Sequence, residues 1–177
     1  MQAVFFLLDA VVSFFCTLFL LRFMMQWLRI SFAGQFGDFV VKLTNWAVKP
    51  LRRIVPGIGG VDWASLIAAL WLQLIMAGVV IAASSVELSS DSVGMILMIL
   101  MLAIRSMLRL TVYIMIGALI LQAVLSWVNP HSPMAAPAYQ LTRPILDPIR
   151  RFIPLISGID LSPLVAILLL QVVLMFL

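Results

Sequence analysis

Apolar positions fill residues 4–28, 63–83 and 93–128 and return over 161–177, with polar residues gathered in the stretches between them. About 20 mostly apolar residues suffice to cross a bilayer core of about 30 Å. Residues 4–28, closed by Arg29, and residues 63–83 each predict one span, and 161–177 a short final one. Residues 93–128 are harder to divide. At about 1.5 Å per residue a straight helix of that length overshoots the bilayer, and Arg105 and Arg109 interrupt the run. The pattern predicts a span from about residue 103 to 128 behind an apolar segment lying at the interface, with a fifth crossing over 93–104 as the alternative.

The polar stretches carry a pattern of their own. In "FGDFVVKLTNWAVKPLRRIV", Phe36, Phe39, Val40, Leu43, Trp46, Ala47 and Leu51 recur at steps of three and four, while Asp38, Lys42, Asn45, Lys49 and Arg53 fall opposite. That spacing predicts an amphipathic helix lying in the membrane interface. Residues 138–154 repeat the idea less regularly because Pro144 and Pro148 interrupt it.

Each amphipathic stretch leads into the same motif. Residues 49–66 read "KPLRRIVPGIGGVDWASL" and residues 147–164 read "DPIRRFIPLISGIDLSPL", with eight of the eighteen positions identical. Pro50 and Pro148 are expected to end or kink the interfacial helix, because proline fixes φ and removes a donor. Pro56 and Pro154 set the next turn, and Gly60 and Gly158 permit left-handed backbone before the chain returns to the membrane. Asp62 and Asp160 stand where an N-cap is wanted, with ion or substrate binding the alternative; in the second copy Ser162 offers another cap, followed by Pro163. Arg52, Arg53, Arg150 and Arg151 admit two readings. They anchor the corner at an anionic surface, or they dock anionic headgroups or an acidic partner segment, which guanidinium grips with two hydrogen bonds.

The motifs align at an offset of 98 residues and Trp27 with Trp127 at 100. The expected organisation is therefore a first repeat over 1–84, a connecting loop and interfacial segment over 85–102, and a second repeat over 103–177. With two spans each, the repeats run parallel about a pseudo-two-fold axis along the membrane normal. The expected fold class is an all-α membrane protein of about four transmembrane helices.

Composition agrees. The 177 residues are 64% hydrophobic and only 10% charged, with a mean hydropathy of +1.21, whereas soluble domains are about a quarter charged. Residues 1–8 hold no Lys or Arg, which argues for a retained span over a signal peptide. The net charge of +4 points to anionic lipid and not to nucleic acid, since the basic residues border spans. Arg29, Lys42, Lys49, Arg52, Arg53, Arg143, Arg150 and Arg151 flank the two links, while residues 84–92 hold no basic residue. The positive-inside rule then places both motifs on the cytoplasmic side and both termini outside; Arg105 and Arg109 pull the other way. Trp27, Trp46, Trp63 and Trp127 are expected in the aromatic belt on the motif side.

Charges at membrane depth are functional candidates. Asp9 and Arg109 correspond at the 100-residue offset, so they either pair across the pseudo-two-fold or, with Arg105, snorkel outward. Arg22, opposite Gln122, is expected to snorkel to the motif side. A single cysteine, Cys16, and a single histidine, His131, leave no basis for a disulfide, a metal cluster or any other cofactor. No nucleophile, base and orienting group occur together, so no enzyme activity is expected.

The duplicated P-x-R-R-x-x-P-x-x-x-G-x-D signature, with "MQWLR" and "LSWVNP" closing the long spans, resembles the YggT (YlmG-like) family of small membrane proteins over nearly the whole chain. The resemblance implies a role in envelope organisation, cell division or osmotic-stress tolerance; chloroplast relatives are implicated in cytochrome b assembly and nucleoid distribution. Taken with the residues, it implies a non-catalytic assembly or adaptor protein, possible homo-oligomers, and a protein partner whose identity the sequence does not give. The rival reading is a small transporter or channel for ions or osmolytes, lined by Asp9, Arg105 and Arg109.

Overall fold

The computed structural model describes residues 2–32, 34–55, 57, 60–83, 92–129, 132–152 and 160–177. Pro56, Pro154, Gly158, His131 and the loop over 84–91 lie outside the described residues. The described residues form six helices in the order α1 (Gln2–Trp27), α2 (Gln35–Ile54), α3 (Trp63–Ala83), α4 (Ser92–Val128), α5 (Ala135–Arg150) and α6 (Ser162–Phe176). Helices α1, α3 and α4 are long and apolar enough to cross a membrane. At 15 residues α6 is shorter than the predicted final span.

Helix α1 packs chiefly on α3, α3 on α4, and α4 on α5 and α6, with α2 laid against α1 and α3. One buried cluster joins Phe19 of α1, Val48 of α2 and Ala68 of α3. Another joins Leu119 of α4, Leu146 of α5 and Ala166 of α6. These two triplets stand at the offsets, 100 and 98, that align the sequence copies. A middle cluster, with Met24, Met25, Met115, Ala118 and Leu141, joins α1 to α4 and α5.

Helix α4 corrects one expectation. It runs unbroken for 37 residues, with no interfacial segment split off before residue 103. Breaking the backbone ladder beside lipid would leave unsatisfied N–H and C=O groups, a larger cost than a helix that tilts or protrudes. Arg105 and Arg109, four apart, lie on one face and are both exposed, so the helix accommodates them without a break. Ile104→Pro is therefore expected to cost about 3 kcal/mol or more and to collapse the thermal transition. A break at the predicted boundary would tolerate it.

The motif prolines do not stop the helices where they stand. Helix α2 continues past Pro50 to Ile54, and α5 passes through Pro144 and Pro148 to Arg150. A proline inside a helix forfeits its own backbone bond and its ring crowds the carbonyl four residues back, which leaves a kink as the expected effect. Helix α2 has both a protein-facing edge and exposed apolar side chains. Its inner edge is Gly37, Val40, Thr44 and Val48, while Phe39 and Trp46 are exposed.

Gly37 sits against the segment leaving α1. A Cβ there would stand 2.2 Å from the Phe32 carbonyl oxygen, so only glycine lets α2 approach so closely.

Candidate functional site

The first corner is built around Asp62. Helix α2 ends with Arg52 and Arg53 in its last turn, where cations complement the helix dipole. The chain then turns through Gly60, whose φ of 77° suits a residue without Cβ. Asp62 follows, one residue before α3, with 2% of its surface exposed. Arg52 grips it with a fork, Nη2 donating to Oδ2 at 2.6 Å and Nε to Oδ1 at 3.2 Å. Ser65 Oγ donates to the same Oδ2 at 2.8 Å. The carboxylate that could cap α3 is thus occupied by side chains from α2 and α3. Gln26 of α1 ties in the turn, donating through Nε2 to the Gly60 carbonyl at 3.2 Å.

Arg22 completes this corner and corrects the snorkelling expectation. It is only 4% exposed. Its Nη1 donates to Thr44 Oγ1 at 2.6 Å and to Asn45 Oδ1 at 3.1 Å. Its Nε lies 3.4 Å from Asp62 Oδ2, near enough for attraction but without hydrogen-bond alignment. Thr44 is free to accept because its own proton goes to the Val40 carbonyl at 2.6 Å. Two guanidinium groups therefore converge on one buried carboxylate.

The second corner keeps the outline with less charge. Arg150 donates to Asp160 Oδ2 from Nε at 2.9 Å and Nη2 at 2.7 Å, across the same ten-residue span. Thr142 donates back to the Ala138 carbonyl at 3.0 Å and meets the Gln122 side chain, where Arg22 meets Thr44 in the first. Asp160 also accepts the Ser162 backbone N–H at 2.9 Å. Ser162 is not the cap: Leu161 holds that position, Ser162 begins α6, and its buried Oγ has no hydrogen-bond partner among the described residues. Here both members of the ion pair are about a third exposed.

Burial pushes the Asp62 carboxyl up, but the Arg52 and Ser65 hydrogen bonds and the charges of Arg52 and Arg22 outweigh it and hold the group below its usual value. Asp160 is depressed likewise, burial again being outweighed by its Ser162 and Arg150 contacts. A depressed carboxyl stabilises the fold fully above its unfolded pKa of about 3.9 and loses that contribution as pH falls through the folded value. The melting temperature is accordingly expected to stay level from neutral pH to about 5 and to drop below about 4. Asp62→Asn should flatten much of that drop.

The second arginine of each motif behaves differently. Arg53 and Arg151 are exposed and belong to no ion pair among the described residues. Trp27 and Trp63, both packed on Phe23, are exposed beside the first corner, while Trp46, also exposed, packs on Phe15 and Phe19 farther along α1.

Asp9 and Arg109 come together without pairing. Both line a polar cavity of about 300 Å³ with Ser13, Gln73, Ser106 and Tyr113, and neither belongs to an ion pair among the described residues. Arg105 does not line it. Among the described residues no group of three metal-ligating side chains is close enough to hold an ion.

Comparison with known proteins agrees with the motif. The family model described as CCB3/YggT matches residues 1–83 and 101–177. The "Uncharacterized protein YggT" of Escherichia coli is 37% identical over 175 residues, 98% of this chain and 88% of that protein. An "Uncharacterized protein in proC 3'region" of Vibrio alginolyticus is 34% identical over 172 residues, 97% of this chain and 91% of the relative. No solved structure matches. With the family model covering both halves and relatives aligned along nearly the full length, the chain belongs to the CCB3/YggT family.

Proposed function

We propose that the protein is a non-catalytic assembly or adaptor protein of a bacterial inner membrane, its motif corners facing the cytoplasm and its termini outside. Its two halves act as parallel repeats, a reading supported by the matching core triplets Phe19, Val48, Ala68 and Leu119, Leu146, Ala166. The observation that carries the functional reading is the division within each RR pair. Arg52 and Arg150 hold the corner through Asp62 and Asp160, and Arg53 and Arg151 stay outside it. Two exposed guanidinium groups on equivalent corners offer a paired dock for anionic headgroups or an acidic segment of a protein partner. Envelope organisation, cell division and osmotic-stress tolerance are the processes in which such a scaffold would act.

Photo-crosslinking in native membranes from probes beside Arg53 and Arg151 tests the reading. One recurrent protein adduct, lost in the Arg53→Ala/Arg151→Ala variant, is expected. Adducts with lipid or self alone would reduce these arginines to anchors.

The cavity shared by Asp9 and Arg109 favours a second reading, a small transporter or channel, because charged groups facing a membrane-embedded cavity mark solute pathways. Flux through reconstituted protein that collapses in Asp9→Asn would support it; no flux in the wild type would remove it.

A further inference from the structure

Arg29 is the residue that the corner does not explain. It follows α1 with φ 55°, a left-handed conformation that favours glycine at this position. The Ile30 N–H reaches the Met25 carbonyl at 2.7 Å and the Arg29 N–H the Gln26 carbonyl at 3.1 Å, the double closure in which glycine is the usual residue. A strained arginine there indicates a use for its side chain. It is exposed and belongs to no ion pair among the described residues.

Arg29 lines a cavity of about 640 Å³ together with Arg22, Arg52, Gln26 and Asn45. Of these three arginines, Arg22 and Arg52 share the single carboxylate of Asp62, and Arg29 has none, so the site carries excess positive charge. The buried Arg22 Nε, beside Asp62, has no aligned hydrogen-bond acceptor among the described residues. This cavity has an apolar neighbour. Ile30 lines both it and a second cavity of about 200 Å³ between α1, α4 and α5, walled by Leu21, Met25, Gly117 and Leu141, with Thr17 at its far end. From Thr17 to Met25 along α1 is about 12 Å, toward the middle of the span.

We infer that the two cavities form one site for an anionic diacyl phospholipid, its phosphate held by Arg22, Arg29 and Arg52 and one acyl chain laid in the groove between α1 and α4. A phosphate supplies the acceptors that three guanidinium groups need, and an acyl chain suits a groove of apolar side chains. The second half lacks the same charges, since Gln122 replaces Arg22, so one such lipid is held per chain. The inference rests on the proposed function only for which face meets the basic pocket's lipid. Crosslinks from positions 53 and 151 can succeed or fail independently of it.

Native mass spectrometry of the full chain, extracted from mixed phosphatidylglycerol and phosphatidylcholine nanodiscs, tests it with two variants that spare the Asp62 pairs. Arg29→Gly relieves the left-handed strain, so its melting temperature should stand at or above wild type while phosphatidylglycerol retention falls roughly fivefold. Gly117→Leu fills the groove, because a Cβ there meets open space. It should lower retention of the lipid while leaving inorganic phosphate binding unchanged. One retained phosphatidylglycerol per chain, with phosphatidylcholine lost, is the expected wild-type result. Equal retention of both lipids, or retention unaffected by either variant, overturns the site. Displacement of the lipid by millimolar inorganic phosphate, with Gly117→Leu silent, would assign the pocket to a free anion and overturn the lipid.

Discussion

Asp62→Asn should cost about 3–5 kcal/mol, because it leaves Arg22 buried among α1, α2 and α3 with no counter-charge. The guanidinium is held there by Thr44 and Asn45 and cannot move to water without pulling α1 from α2. The equivalent Asp160→Asn should cost only about 0.2–1 kcal/mol, since its pair with Arg150 is partly solvated and such pairs contribute little. Unfolding of the two variants in bicelles separates the cases. Losses of equal size would mean that burial of Arg22 has been given too much weight. Adding Arg22→Gln to Asp62→Asn should recover most of the loss, because glutamine facing threonine is the arrangement at Gln122 and Thr142. The coupling between positions 22 and 62 in that double-mutant cycle is the quantity to measure.

Gly37→Ala should destabilise by about 1–3 kcal/mol, in line with overpacking of a dense contact. Within a helix this substitution ordinarily stabilises, because glycine is disfavoured there by about 1 kcal/mol. The reversed sign comes from the Phe32 backbone, whose oxygen, carbonyl carbon and Cα would lie 2.2, 2.6 and 2.6 Å from the new Cβ. Backbone cannot swing aside as a side-chain tip can, so α2 would lift from the end of α1 and strain the Arg22 contacts to Thr44 and Asn45. Gly78→Ala is the control. It lies in α3, where an added Cβ meets nothing within 4 Å, and should hold or raise the melting temperature. If both alanines raise it, α2 does not approach the Phe32 backbone as closely as Gly37 implies.

The parts legible in the sequence were those with a local signal. Apolar runs gave α1 and α3, and the three- and four-residue rhythm around Val40 and Leu43 gave the amphipathic α2. Repetition of R-R at ten residues before D pointed to a corner built twice, although not to the contact itself. Arg22 was missed because its partners lie 22 to 40 positions away, beyond any periodicity, and its place near a span end looks like a snorkelling arginine. A hint was present: Thr44 puts a polar group on the buried edge of α2, between Val40 and Val48. The length of α4 against bilayer thickness and its two arginines suggest a division that the helix does not make. At a spacing of four they share a face, which an unbroken helix tolerates. The strain at Arg29 has no sequence signal, since only the backbone reveals it.

The division of labour within each RR pair is tested most directly by the melting temperatures of four single variants in one lipid environment. Arg52→Ala should fall most, Arg150→Ala slightly, and Arg53→Ala and Arg151→Ala should match the wild type. Arg53→Ala or Arg151→Ala melting as low as Arg52→Ala would contradict it, because the second arginines would then hold the corner instead of being left free to dock.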